Sequence, residues 1–161
     1  MPILDYDAFV EALPKRGALI GIDPGSVTIG VAASDATRTI ASPAKGVKRI
    51  KMAQDGAAIF AIFKDRQACG FVVGHPINMD GSKGPSSQSA RAFARNLLAI
   101  QDVPLLMWDE RLSTAAVLRQ MISADMTRAK RAATVDAAAA SYMLQGLLDR
   151  LHSDMTRLPL S

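Results

Sequence analysis

Two apolar runs, "ALIGI" (Ala18 to Ile22) and "TIGVAA" (Thr28 to Ala33), flank the turn sequence Asp23-Pro24-Gly25. Apolar runs bounded by turn residues predict strands, and two runs this close predict a hairpin with Asp23 where the first strand stops. A short amphipathic segment before them predicts one helix. Downstream, "ASPAKGVKRIK" reads as a third strand or a loop, and the apolar positions Ala57, Phe60 and Phe63 predict a helix over Met52 to Gln67 packed on one side. "CGFVVG" is apolar throughout, as a central parallel strand covered on both faces would be. "HPINMDGSKGPSSQ" has the composition of a loop. Ser86 to Ile100 then predicts a helix capped by Ser86 or Ser87. "VPLLMW" is a further strand running into "DERLST", Thr114 to Ala124 a helix, "DMTRAKRAAT" a basic connector, and Val135 to His152 a long final helix. Strands and helices in this order predict an α/β domain with a mixed sheet.

Composition narrows the class. The 161 residues favour one domain with a sizeable core. A hydrophobic fraction of 49% and a charged fraction of 21% are those of an ordinary globular protein. Nineteen Lys and Arg against fifteen Asp and Glu give a net charge of +4, which suits a polyanionic partner without demanding one. The single cysteine, Cys69, borders "GFVV" and reads as a buried structural thiol in a reducing compartment. The N-terminal segment carries Asp5, Asp7 and Glu11, unlike a signal peptide, and no apolar run approaches the ~18 residues that cross a membrane. A cytoplasmic location, with no membrane partner, is the expectation.

The candidate chemistry lies in acids at element ends. Asp23 ends the first strand, where Asp-Pro-Gly also makes a good turn with no function attached. "LLMW" runs directly into Asp109-Glu110-Arg111, which reads alternatively as a surface ion pair before a capped helix. Strand alternation sends Asp109 and Glu110 to opposite faces, so one of the two shares a face with Asp23, and the sequence leaves open which. In the final helix, steps of four and three from Asp136 reach Ala140, Met143, Leu147 and Leu151, an apolar stripe that turns Asp136 toward the sheet. An acid in the first turn also complements the helix dipole. The small side chains Ala137 to Ala140 allow a close approach of that helix to the sheet.

Taken together, these carboxylates converge where an α/β sheet opens, the usual place for a site. Clustered carboxylates repel, and a divalent cation resolves the repulsion. All-oxygen ligands favour Mg²⁺ or Mn²⁺, and the chain has no Cys/His ligand cluster. Two such ions ~3.5–4 Å apart activate a water and stabilise the leaving oxygen of a phosphodiester, which is nuclease chemistry. Arg128, Lys130 and Arg131, with Arg119 nearby, are candidate phosphate contacts. Lys45, Lys48 and Arg49 are weaker ones, and Asn78, Asp80 and Lys83 are polar contacts on the Gly-rich loop. His75 and His152 lack a partner pattern and read as structural or exposed.

"IGIDPGSVTIGVAASD", "VVGHPINMDGS", "DERLST" and the basic stretch ending in "VDAAAASYMLQ" occur in the order seen in the YqgF/RuvX family, a branch of the RNase H-like fold related to RuvC Holliday junction resolvases. The chain resembles that family from Gly17 to Leu151. The resemblance implies a five-stranded mixed sheet of order 3-2-1-4-5 flanked by helices, as an RNase H-like domain over 17–152 between an N-terminal extension (1–16) and a C-terminal tail (153–161). It implies a metal-dependent nuclease using Mg²⁺ or Mn²⁺ that processes the 5′ end of pre-16S rRNA, with Asp23, Asp109, Glu110 and Asp136 as catalytic and metal residues. The alternatives are a Holliday junction resolvase acting on branched DNA and a non-catalytic nucleic-acid-binding module. An actin-like ATPase, which needs a second such domain, does not fit the length. RuvC enzymes carry an acid at the end of the fourth strand, where "CGFVVGHP" has none, and a further helix carboxylate where this chain has Ala139. With no apolar stripe that marks a dimer surface, a monomer is expected.

Overall fold

A computed structural model describes residues 3–25, 28–75, 84–109 and 128–157. Helix α1 (Tyr6–Ala12) precedes the hairpin strands β1 (Ala18–Pro24) and β2 (Thr28–Ser34), followed by β3 (Ala41–Lys48) and α2 (Met52–Asp65). Then come β4 (Ala68–His75), α3 (Pro85–Ile100), β5 (Leu105–Asp109) and a thirty-residue helix, α4 (Arg128–Arg157). The five strands form one sheet of order β3-β2-β1-β4-β5. β1 pairs antiparallel with β2 and parallel with β4, β2 antiparallel with β3, and β4 parallel with β5. The mixed sheet and its strand order are those that the sequence implied.

Each face of the sheet has its own core. Ile20, Ile22, Ile29, Val31, Phe71, Val73 and Leu105 pack against Ile59 and Phe63 of α2 and Phe93, Ala94 and Leu97 of α3. Leu19, Ala32, Val72, Leu106 and Trp108 pack on the other face, against Met143, Leu144, Leu147 and Leu148 of α4 and Phe9 of α1. β4 is apolar along its length because it is paired on both edges and covered on both faces. α1 belongs to this core: Phe9 is fully buried, and Leu4 bridges to Leu106 at the sheet edge.

Helices α3 and α4 depart from the sequence expectation at their ends. Helix α3 is not capped by Ser86 or Ser87. Gly84 holds the N-cap position with Pro85 in the first turn, where a missing N–H costs nothing. Ser87 is fully buried and shares a hydrogen bond with His75 Nε2 across to β4, so its hydroxyl is committed to the sheet. Helix α4 begins at Arg128, not Val135, and takes in the end of the expected basic connector. Alanine, arginine and lysine are strong helix formers, and "RAKRAA" extends the helix by two turns. It also runs to Arg157, past His152.

Candidate active site

Helix α4 and the sheet are in closest register at Gly21. A Cβ there would lie 2.9 Å from Leu144 Cβ and 3.3 Å from the Ala140 carbonyl, so glycine is what lets the helix backbone rest on β1. This contact orients the rest of the site. Asp23 stands two residues along β1, on the same face as Gly21 by strand alternation. Position 136 stands one helical turn before Ala140, on the stripe that meets Gly21. Asp136 is therefore not an acid in the first turn of its helix. The basic residues Arg128, Lys130 and Arg131 occupy that end, eight residues to five residues earlier.

The sheet is unusually bare around Asp23. Asp23 pairs with Gly30, Gly30 pairs with Gly46, and Gly74 pairs with Trp108. Gly74 is one step beyond the Ile22–Val73 pair, which puts it beside Asp23. One row across all five strands thus reads Gly46, Gly30, Asp23, Gly74, Trp108. On the α4 face, the Asp23 carboxylate has no side chain from either neighbouring strand next to it. Asp23 is 6% exposed and belongs to the few buried charged residues of the described chain. At the end of the row the buried Trp108 indole Nε1 has no hydrogen-bond partner among the described residues, a costly state for a donor out of water.

The register decides what the sequence left open about the acidic pair at the end of β5. His75 pairs with Asp109, and Gly74 with Trp108. Trp108 is in the core under α4, and Met107 packs with the core under α2 and α3. By alternation Asp109 belongs with Met107 and His75, on the face opposite Asp23. Asp109 also lines a cavity of about 480 Å³ at the β5 edge, which takes in His75, Arg91 and Met107 from that face and Leu106, Trp108 and Arg150 from the other. In the choice that the sequence left open between Asp109 and Glu110, the register thus turns Asp109 away from the face of Asp23. His75 is 6% exposed and bonded to Ser87, in keeping with a structural role. His152 is exposed, with Nε2 2.9 Å from the Arg38 carbonyl. Cys69 is only half-buried, its thiol 3.4 Å from the Ala18 carbonyl.

The turn after Asp23 is tied down by a residue that the sequence marked only as a weak phosphate contact. Arg49 Nη1 donates to the Gly25 carbonyl at 2.9 Å, and its guanidinium lies 5.6 Å from the Phe93 ring centroid. The Gly25 N–H in turn donates to the Asp23 carbonyl. Arg49 therefore fixes the Asp-Pro-Gly turn from the end of β3. The sequence signal was present, an arginine leaving a strand among lysines, but only the fold shows where it points.

Glu110, Arg119, Asn78, Asp80 and Lys83 lie outside the described residues, as do the side chains of Arg128, Lys130, Arg131 and Asp136. Among the described residues, no three His, Cys, Asp or Glu side chains form a metal-ligating cluster. No helix of the described chain is long and apolar enough to cross a membrane.

The family model described as "RuvX: Holliday junction resolvase" matches residues 17–150. A Rhodospirillum rubrum protein named "Putative pre-16S rRNA nuclease" is 54% identical over 152 residues, spanning 94% of each chain. A Bradyrhizobium protein of the same name is 52% identical over 150 residues, spanning 93% of each. Among solved structures, T. thermophilus RuvC in complex with a Holliday junction substrate superposes with a TM-score of 0.53 at 14% identity, covering 88% of this chain and 97% of that one. That likeness is one of fold, and it is the RNase H-like fold of the mixed sheet described above. With the match spanning both the Asp23 hairpin and most of helix α4, the chain belongs to the RuvX family.

Proposed function

We propose that this protein is a metal-dependent nuclease that hydrolyses phosphodiester bonds in the 5′ region of pre-16S rRNA, acting in the cytoplasm as a monomer. The observation that carries the reading is the buried Asp23 carboxylate, flanked by glycines on the neighbouring strands and two residues along β1 from the close contact of helix α4 at Gly21. The names of the relatives supply the substrate.

The residues fit a divalent cation by the chemistry of their donors. Asp23 brings a buried carboxylate, and the sequence offers Glu110 and Asp136 as further oxygen donors, an all-oxygen set that favours Mg²⁺ or Mn²⁺ over zinc. Of the acidic pair we assign the metal-holding role to Glu110, because alternation along β5 turns Asp109 to the face away from Asp23. Asp109, assigned to the opposite face, is left with a structural part beside His75. Asp23, Glu110 and Asp136 would hold Mg²⁺ or Mn²⁺, which when bound supplies Lewis-acid stabilisation and an activated water.

The chain itself supplies position and access. Gly30 and Gly74 leave the strands beside Asp23 without side chains, a space that a branched residue at either place would fill. Arg49 holds the Asp23 turn against β3. Arg128, Lys130 and Arg131 lie in the first turns of α4, where unsatisfied N–H groups already favour anions, and there they would meet phosphates. Arg119, Asn78 and Lys83 are further candidate contacts.

A second reading, resolution of a branched DNA junction, has the family description in its favour. The two separate in one assay. Purified protein with Mn²⁺ is expected to shorten a 5′-extended pre-16S RNA and leave a four-way DNA junction uncut. Paired symmetrical nicks in the junction, with the RNA intact, would reverse the assignment.

A further inference from the structure

The β3 edge of the sheet carries a charge pattern that the active site does not use. β3 is an outer strand, and Lys45 and Lys48 on it, with Lys51 just beyond, are all exposed. No acid occurs from Ala36 to Gln54. The next acid, Asp55, is 3% exposed and accepts the Ile50 N–H, so its carboxylate is turned inward. Among the described residues, none of the three ammonium groups makes a hydrogen bond or ion pair. Arg49, in their midst, is the exception, bound to the Gly25 carbonyl and stacked on Phe93.

That exception joins the lysines to the site. Arg49 ties the end of β3 to the turn that follows Asp23. Lys48 pairs with Thr28, two residues beyond the Gly46, Gly30, Asp23 row and on the same face by alternation, while Lys45, paired with Val31, lies on the opposite face, so that the two lysines flank the β3 edge from either side. Two strand spacings, about 10 Å, separate its strand from β1. Ile50, 64% exposed, adds an apolar surface between Lys48 and Lys51. Lysines on an edge strand commonly keep that edge from pairing with another chain. That role accounts for Lys45 beside Pro43, but not for Lys51, which lies outside the strand.

We propose that Lys45, Lys48 and Lys51 form a phosphate track along the β3 edge, which holds the single-stranded flank of the nucleic acid whose scissile bond lies at Asp23. Ile50 contacts a sugar or base face between successive phosphates. The identity of the ligand as nucleic acid rests on the function proposed above. The lysines contribute binding and direction of entry, not chemistry.

The test is binding of a fluorescent single-stranded RNA to the full chain without divalent metal, across a salt series. The triple variant K45Q/K48Q/K51Q is expected to bind on the order of tenfold more weakly at low salt, with the slope of log K against log salt shallower by about 2, since each single-strand phosphate contact contributes roughly 0.7. K48Q alone should take about a third of that change. A control triple with the same charge loss at the far end of the sheet, K15Q/K64Q/R66Q, should leave the slope unchanged. An unchanged slope in the edge triple, or an equal change in the control, overturns the track. Cleavage assays are read separately: active protein with an unchanged slope removes the track alone, and a changed slope in protein without nuclease activity removes the proposed reaction alone.

Discussion

Gly21 lies so close beneath Leu144 that a Cβ on it would stand 2.9 Å from the Leu144 Cβ. This one contact sets how far helix α4 stands off the sheet, and with it the spacing between position 136 and Asp23. Gly21→Ala must push the helix away, because neither a Cβ nor the Ala140 carbonyl can swing aside. Overpacking of this kind costs about 1–3 kcal/mol. Denaturant unfolding should show that loss, and nuclease activity should fall even at temperatures where the variant is fully folded. Unaltered stability would mean that the helix has slack that the contact denies.

Arg49 should act as a positioning residue. Arg49→Ala removes the donor to the Gly25 carbonyl and loosens the turn that carries Asp23, with Lys48 and the rest of β3 left in place. The expected result is a drop in kcat larger than any rise in KM. Arg49→Lys should restore little, since a lysine cannot both reach the carbonyl and stack on Phe93. A variant with normal kcat and weakened RNA binding would make Arg49 a phosphate contact instead.

Asp35 gives the β2–β3 turn an acid-sensitive latch. Its carboxyl is held down to about 2, chiefly by the Thr37 hydroxyl and then by the Ile40 and Thr39 N–H groups. A carboxylate with a lowered folded-state pKa stabilises the fold above its ordinary value of 3.8, and that stabilisation is lost as pH falls toward 2. The wild-type unfolding midpoint should therefore fall between pH 4 and pH 2 more steeply than that of Asp35→Asn. Parallel curves would show that the latch adds nothing to stability.

The acidic pair offers a direct contrast. Glu110→Gln should reduce cleavage by orders of magnitude, whereas Asp109→Asn should retain most of it and be felt in stability, through the packing beside His75. Single-turnover rates and thermal melts on both variants supply the comparison. The reverse order of effects would transfer the metal-holding role to Asp109.

The hairpin and both buried strands were legible in the sequence because their apolar runs are bounded by strong turn residues. Strand order was legible only through the family resemblance, since nothing local in "CGFVVG" says that it pairs with β1. The face of Asp109 was not legible at all: it depends on the parallel register of β1, β4 and β5, a relation among residues some fifty and thirty-five positions apart. The start of α4 lies ahead of the apolar stripe that predicts it, because the helix propensity of "RAKRAA" carries the helix into a charged stretch whose composition suits a linker. The capping serine of α3 was misplaced for a different reason. Ser87 satisfies a buried histidine across the core, a tertiary demand that outweighs its local preference for a cap.

The central claim is that Asp23 is the carboxylate on which phosphodiester cleavage depends. Asp23→Asn keeps the size of the side chain and removes its charge, so the fold and RNA binding should persist. The decisive measurement is the Mn²⁺-dependent rate of shortening of a 5′-extended pre-16S RNA by wild type and Asp23→Asn under single-turnover conditions. The account predicts cleavage by the wild type and none above background by the variant, with both binding the RNA. Equal cleavage by the two proteins would contradict it.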